Sequence, residues 1–539
     1  MGKPPATVAI PCALAAAGLT LYQAAMTTLE ADPALKAEAR QQVAAPPTLV
    51  ERATVLLAVA AIAAGCLARF FIAGHQPLWL DETWTGAIAM QHGLGAVFQQ
   101  IWWDVNAPFY YLFAHLWSQV AGLSDPALRL PSAVFGGVAA VVVALRPVQG
   151  LPRGARLTWA ALLAVWIPGV WFSGDARCYA LLLMLATLQT LAFVRLLQAP
   201  DLKRAAVWAG LGALSILTHY HAVFLGAFQG LAYLAYARGK AVRTWPAALL
   251  FVPAFAWIAI HLPRIQDFAR PDIVWYSPLT FERLPRAALR FLAGTDEVAI
   301  GLAVAGVAAL ALGFLLKPKG RREPWPVDQA LWIAAGTALL GAMAVIALGF
   351  FRASFVDRYL FPFMPGLFLG LAMIAQALAR RWSLAYAAVI LAFAIPAVPW
   401  ARTQVQHGWR FYNFEVASTE LMKNDPQRLV FFWDHPAGPV EAPGQLDAVG
   451  GFFFRRAGHP IAVTPVILKP GEEPNARLLA DAKEPRTAIL WMYDIGVRGT
   501  AARSHKPALD TLDPTLKCRQ LGSGSIGILA CDRGPEIKP

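Results

Sequence analysis

Apolar runs of about 17–25 residues recur along the chain between short polar connections, and each is long enough to cross ~30 Å of hydrocarbon as a helix. The pattern predicts eleven such helices, at 53–73, 129–145, 157–173, 178–195, 205–219, 221–237, 245–262, 298–316, 329–350, 359–379 and 383–400. The connections alternate in charge. Basic residues collect in every second one: Arg146, Arg153 and Arg156; Arg195, Lys203 and Arg204; Arg238, Lys240 and Arg243; Lys317, Lys319, Arg321 and Arg322; Arg380 and Arg381. Such loops are expected on the cytoplasmic side. The loop 74–128 holds no Lys or Arg but carries Asp81, Glu82, Asp104 and Asp125, so it is expected outside. The tail from 401 onward is then outside too, giving an N-in, C-out topology. An earlier apolar stretch, 7–26, reads as a twelfth span, a signal-like segment or a helix lying on the membrane. Only Lys3 precedes it and no convincing cleavage site follows, which favours the surface or partly inserted helix.

Composition agrees with a polytopic membrane protein. Hydrophobic residues make up 57% of the 539 and charged residues only 15%, where soluble domains carry about 25% charged. Mean hydropathy is +0.49. The net charge of +13 would suggest nucleic acid in a soluble protein. Here it is accounted for by cytoplasmic loops facing anionic lipid, and no nucleic-acid partner is expected.

Three regions follow: an N-terminal segment 1–52, a transmembrane domain 53–400 and an outer domain 401–539. The last has more charge and short β-like runs at 428–434, 461–468, 487–494 and 515–522, with helix-like pieces at 444–457 and 475–482. It reads as a small α/β domain. A two-residue Gly524-Ser525 turn would close its final hairpin. That register sets Cys518 opposite Cys531 at a non-hydrogen-bonded position, where side chains approach closely. A disulfide is expected there, suited to an oxidising compartment. Cys12, Cys66 and Cys178 lie in or beside apolar segments and read as small buried residues.

The candidate chemistry lies on the outer side. His-Gln-Pro-Leu-Trp-Leu-Asp-Glu-Thr-Trp-Thr (75–85) sets two adjacent acids among Trp79, Leu80 and Trp84. The run 84–103 reads as an interfacial helix and 106–120 as a second, since Trp and Tyr favour the headgroup level. Acids in such a place lose solvation unless a cation or hydrogen bond offsets the cost. A retained Asp81-Glu82 pair therefore points to a general base, a metal site or a substrate grip. The plainer reading is helix capping, with Asp81 as the cap and Glu82 in the first turn. Other polar residues gather on the same side: Asp175 and Arg177, His219 and His221, Arg264 and Arg270, and Arg352, Asp357 and Arg358. Ionisable groups at membrane depth are costly and often functional. Cations there run against the positive-inside bias, which suggests an anionic ligand. Arginine suits phosphate because its planar fork makes paired, charge-assisted bonds. Singly, Arg177 and Arg358 could pair with Asp175 and Asp357, and a lone His is more often a hydrogen-bonded interface residue than a ligand. Carboxylates and cations at the lipid boundary fit attack by a hydroxyl on a lipid-phosphate sugar.

Several short motifs carry a resemblance: Leu-Asp-Glu (80–82), Asn-Ala-Pro-Phe-Tyr-Tyr (106–111), Leu-Arg-Leu-Pro-Ser-Ala (128–133), Asp-Ala-Arg-Cys-Tyr-Ala-Leu (175–181), Thr-His-Tyr-His (218–221) and Asp-Arg-Tyr-Leu-Phe-Pro (357–362). In this order, over about 53–400, the chain resembles the GT-C membrane glycosyltransferases. It is most similar to the bacterial branch of the dolichyl-phosphate-mannose protein mannosyltransferases, which includes the lipid A aminoarabinose transferases. The resemblance implies a GT-C fold of about 11 transmembrane helices in a bacterial inner membrane. It implies an inverting transferase moving a monosaccharide from a polyprenyl phosphate to an envelope glycan, lipid or protein at the periplasmic face. On the family pattern Asp81 is the acceptor-side base and Glu82 its partner, while Arg177 and Arg358 hold the donor phosphate; the gathering of cations on the outer side adds Arg264 and Arg270 to that phosphate site. Asp175, His219, His221, Asn106 and Tyr110 then contact substrate. Asp175 matches an acid that binds a divalent metal in some of these enzymes. One departure stands out: aminoarabinose-type members often carry Lys-Pro-Pro where this chain has Asn106-Ala107-Pro108, so other cations must compensate for a lost phosphate contact.

Two other classes are weighed against the enzyme. A transporter or flippase of lipid-linked sugar predicts inverted repeats and charges near the midplane, but no repeat is evident and the charges sit at one face. A noncatalytic scaffold predicts that the outer domain alone carries function. The sequence has no P-loop and no cytoplasmic nucleotide-sugar motif, which disfavours a soluble sugar-nucleotide donor.

Overall fold

The computed structural model describes residues 48–74, 77–270, 278–294, 328–352, 354–379, 382–407, 413–434, 442–468, 472, 480–494, 515–523 and 526–532. The chain divides into a unit of residues 1–52 and one of 53–539. Of the first only 48–52 are described, as the start of a helix, so the segment 7–26 lies outside the described residues, as does the span expected at 298–316. The other ten expected spans are helical. They are α1 (Leu49–Gly74), α5 (Asp125–Leu145), α6 and α7 (Arg153–Val165, Ile167–Ser173), α8 (Tyr179–Gln198), α9 (Leu202–Thr218), α10 (Ala222–Ala237), α11 (Val252–Phe268, entered through a 3₁₀ stretch from Trp245), α13 (Gln329–Phe351), α14 (Met364–Ala379, entered through a 3₁₀ stretch from Asp357) and α15 (Ala385–His407). A short helix α12 (Leu284–Ala293) precedes α13. Among the described residues seven of these helices are long and apolar enough to cross a membrane, or eight with the broken pair α6–α7. The protein is a polytopic α-helical membrane protein.

The span expected as one helix over 157–173 is instead bent by 54° between α6 and α7. Pro168 explains the break, because it lacks the N–H that the Ala164 carbonyl would accept in a continuous helix. A carbonyl stripped of its partner in an apolar medium costs several kcal/mol. The fully buried Arg69 of α1 meets that need. Its guanidinium donates to the carbonyls of Ala164, Leu163 (2.9 Å) and Gly65 (2.8 Å), and its Nε to Ser173 Oγ at 3.1 Å. Two glycines make room. A Cβ on Gly65 would lie 2.3 Å from the Ala164 oxygen, and one on Gly136 would lie 2.0 Å from Ser173 Oγ. The clamp fixes where α7 ends, and hence the turn that carries Asp175 and Arg177.

The loop after α1 forms three helices rather than two: α2 (Leu80–Ala89), α3 (Leu94–Trp103) and α4 (Pro108–Ala121). The single helix expected over 84–103 is interrupted at Gln91-His92-Gly93, where glycine ends the regular backbone. Pro108 opens α4 at its first turn, where a missing N–H costs nothing.

Beyond α16 (Asn413–Met422) the outer domain contains β1 (Arg428–Asp434), β2 (Ala462–Ile467), β3 (Thr487–Asp494), β4 (Lys517–Ser523) and β5 (Ile526–Asp532). They form one sheet in the order β2-β1-β3-β5-β4, parallel across β2-β1-β3 and antiparallel across β3-β5-β4. The central strands are apolar throughout because both faces are covered: Val430, Phe432, Ile489 and Trp491 on one side, Phe431, Trp433, Leu490 and Met492 on the other. Cys518 stands opposite Cys531 in the β4–β5 register and is joined to it by a disulfide. The closing Gly524-Ser525 lies outside the described residues. The helix expected over 444–457 is split at Gly451 into α17 (Pro443–Gly450) and α18 (Phe452–Arg456), and most of the one expected over 475–482 lies outside the described residues. The domain is pinned to the outer loop. Trp433 packs edge-on against Trp84 with ring centroids 5.8 Å apart, Gln100 donates to the Gly444 carbonyl at 3.2 Å, and Arg456 pairs with both Asp125 and Glu415.

Candidate active site

Helix α2 begins without a Ser, Thr, Asp or Asn cap. Trp79 is extended before it, and the Glu82 carboxylate reaches back to accept from the Trp79 N–H at 3.1 Å. Glu82, and not Asp81, therefore does the capping. Its oxygens are further engaged by Arg129, whose Nε lies 2.6 Å from Oε1 and whose Nη2 pairs with Oε2, and by the Ala176 N–H at 2.7 Å. Arg129 also donates to the Pro77 carbonyl at 2.8 Å. Both members of the pair are 0% exposed. One buried carboxylate thus ties together the start of α2, the second span and the turn after α7.

With Glu82 occupied, Asp81 is the acid left facing the cations. It is half-buried at the first turn of α2, within electrostatic reach of both Arg177 and Arg358. Arg177 donates through Nη1 to the Asp81 main-chain oxygen at 3.1 Å and to the Tyr111 hydroxyl at 2.9 Å. Tyr111 in turn donates to Asp104 at 3.1 Å, and Asn106 secures the other Asp104 oxygen through its side-chain amide at 2.7 Å and its N–H at 3.0 Å. Burial works against the charge on Arg177, but Tyr111, Asp81 and Asp104 outweigh it and hold the guanidinium above its ordinary range. Burial likewise pushes the Tyr110 and Tyr111 phenols up, so both keep their protons. Arg358 lies over the Tyr179 ring, 5.9 Å from its centroid. The Nε–H groups of Arg177 and Arg358 are both buried and make no hydrogen bond among the described residues. Buried donors of this kind call for a partner.

Aromatic side chains wall the cluster. His219 sits between Tyr179 and Tyr359, with centroids 5.8 and 5.2 Å away, and His221 stacks on Tyr359 at 4.3 Å. The remaining expected site residues fall elsewhere. Tyr110 turns its hydroxyl to Ser132 at 3.2 Å, and its neighbour Tyr111 takes the place by Arg177. One residue of helix is ~100° of rotation, which an aromatic pair does not resolve in sequence. Arg264 gives its Nε and Nη2 to the Trp103 carbonyl at 3.0 and 2.8 Å, so it holds the end of α3. Arg270 is exposed past the end of α11. Asp175 is fully buried in the turn before α8. Among the described residues no three His, Cys, Asp or Glu side chains converge as metal ligands do.

Tyr111, Asp104 and Arg129 join the site in roles that their place in the sequence does not give, and a brace holds the α3–α4 loop. In that brace Tyr220 bonds His261 at 2.6 Å and accepts from Trp257 at 2.9 Å, while His261 Nε2 meets the Trp102 carbonyl at 2.9 Å. His261, on a span, was the readable signal: an imidazole in an apolar run needs a polar partner.

Fold and site together define a polytopic helical membrane protein with an acid and two partly unsatisfied arginines gathered beside its loop helices. No known family model matches the chain, and no curated protein does. Among solved structures it is similar to ArnT from Cupriavidus metallidurans bound to undecaprenyl phosphate, at 14% identity and TM-score 0.49 over 88% of this chain and 97% of that one. It is also similar to the oligosaccharyltransferase of Archaeoglobus fulgidus in the apo form, at 13% identity and TM-score 0.45 over 81% and 69%.

Proposed function

We propose that the protein is a GT-C type inverting glycosyltransferase that moves a monosaccharide from a polyprenyl phosphate to an acceptor hydroxyl on the outer side of a bacterial inner membrane. The observation that carries this reading is the meeting of Asp81, Arg177 and Arg358, from three separate parts of the chain, with buried guanidinium N–H groups left for an anion. The acceptor is an envelope glycan, lipid or protein. The family motifs quoted from the sequence support the same class.

The residues divide the work as follows. The acceptor oxygen attacks the anomeric carbon from the face opposite the phosphate. Its proton passes to the Asp81 carboxylate. The bond between the anomeric carbon and the phosphate oxygen breaks, and its electron pair leaves with the polyprenyl phosphate. Arg177 and Arg358 balance the charge that gathers there. Glu82 positions and does not react, because its oxygens are committed to Arg129, Trp79 and Ala176. No step is routed through a metal.

Tyr111 is a positioning residue in this scheme, aiming Arg177 through its hydroxyl. Tyr111→Phe removes that acceptor and strands Asp104, so kcat is expected to fall about tenfold to a hundredfold. The phenylalanine keeps the ring under the guanidinium, so thermal unfolding should change little. Unaltered kcat would remove Tyr111 from the scheme.

The whole reading is tested with purified full-length protein, synthetic polyprenyl-phosphate sugars and extracts of envelope acceptors. Free polyprenyl phosphate and a glycoside of inverted anomeric configuration are expected. Translocation of intact donor across liposomes, with no transfer product, would overturn it in favour of a transporter.

A further inference from the structure

We propose that this chain carries a second carbohydrate subsite, separate from the Asp81–Arg177–Arg358 cluster, in the cleft between the loop helices and the C-terminal domain. The cleft measures about 1530 Å³, well above the ~300–1,000 Å³ of a site for one small molecule. It opens at Met90, Gln91 and His92, just past the C-terminal end of α2, and at Ser118 and Gln119 near the end of α4. The two ends are fastened together, since Ser118 Oγ and His115 Nδ1 both lie on the Ala89 carbonyl, at 3.1 and 3.0 Å. Asp81 opens the same helix α2, whose C-terminal end lines the cleft, and Pro77, four positions before Asp81, lines it on the other side.

The lining selects the ligand class. The charged residues of the lining are all paired, Glu420 with Lys423 and Arg519 from beyond the cleft. Arg456 lies between Asp125 and Glu415, and Arg455 pairs with Asp447 at 2.8 Å. An anion therefore finds no uncommitted arginine pair here, in contrast to the cluster at Asp81. What remains on the walls is a set of groups that both donate and accept: His92, Gln119, Ser124 and Thr419. A sugar hydroxyl also does both, so it pairs with them in either sense. A peptide is the weaker fit. Among the described residues the walls come from helices and turns with no strand edge to extend, and no Phe, Tyr or Trp lines the cleft to anchor a side chain. The occupant is thus an uncharged oligosaccharide. On the transferase reading, on which only this assignment of role rests, it is the distal part of an acceptor glycan, and its binding energy is spent far from the reacting bond.

The experiment is binding, not turnover. Full-length protein in detergent is applied to an immobilised glycan array that runs from monosaccharides to long oligosaccharides, beside a peptide array. Thr419→Trp and Gln119→Trp fill the cleft from two exposed wall positions, where a large side chain does not disturb the core. The parent chain is expected to retain longer neutral glycans and not monosaccharides, and each variant to lose about tenfold or more in affinity. Asp81→Asn is expected to bind as the parent does, even if no transfer is ever detected, which separates this subsite from the proposed reaction. Retention of no glycan, retention of peptides instead, binding by the filled variants equal to the parent's, or loss of binding in Asp81→Asn would each overturn the proposal.

Discussion

Asp81→Asn is expected to lower kcat by ~10²–10⁴, the usual worth of a positioned general base, while KM for the donor stays close to the parent value. The split follows from the geometry. Arg177 bonds the main-chain oxygen of Asp81, not its carboxylate, so an isosteric amide leaves that bond and the fold of α2 in place. The phosphate of the donor would be held by Arg177 and Arg358, which the substitution does not touch. Asparagine has no basic oxygen to take the acceptor proton. Donor consumption, followed as release of free polyprenyl phosphate, checks both parameters. If Asp81→Asn consumed donor at the native rate, Asp81 would not be the base and the chemistry would need a different acid.

Breaking the Glu82–Arg129 pair has the largest expected effect on stability. Glu82→Ala leaves a guanidinium buried without its counter-charge, and removal of one partner from a buried pair costs ~3–5 kcal/mol. It also frees the Trp79 and Ala176 N–H groups, so the start of α2 and the Arg177 turn lose their common anchor. Denaturant or thermal unfolding of the detergent-solubilised protein should show the loss. The double variant Glu82→Leu/Arg129→Met, which removes both charges and keeps apolar volume, should recover much of the stability. It should not recover turnover, because the two N–H groups still lack their acceptor. A Glu82→Ala protein as stable as the parent would show that the pair holds nothing in place.

Much of this arrangement was legible in the chain, for a simple reason. A span must be long and apolar, so ten of the eleven expected spans are helical where the pattern put them, one of them broken at Trp166, and the eleventh lies outside the described residues. Asp81, Arg177 and Arg358 stood out because an ionisable group in an apolar surround needs a purpose. What the pattern did not carry is pairing over distance. Asp81 and Glu82 are chemically near-equivalent neighbours, and only Arg129, 47 positions on, decides which of them is committed. The motif 128–133 contained that arginine, but nothing local says what it faces. Tyr110 and Tyr111 were likewise separable only by the facing of α4. The break at Trp166 did have a local sign in Pro168, yet a proline in a span reads as a bend or as a full interruption alike. The three-way contact of Arg456 with Asp125 and Glu415 joins parts too far apart in sequence for any pattern to link.

The Arg69 clamp has a consequence for how this chain can change over generations. The guanidinium is tolerated in a span only because Pro168 strips the Ala164 carbonyl of its donor, and it fits only because positions 65 and 136 have no side chain. A relative that regains an unbroken helix at 168 would leave the cation stranded. Substitutions at 65, 69, 136 and 168 are therefore expected to travel together among descendants, and a lineage holding one without the others should be rare.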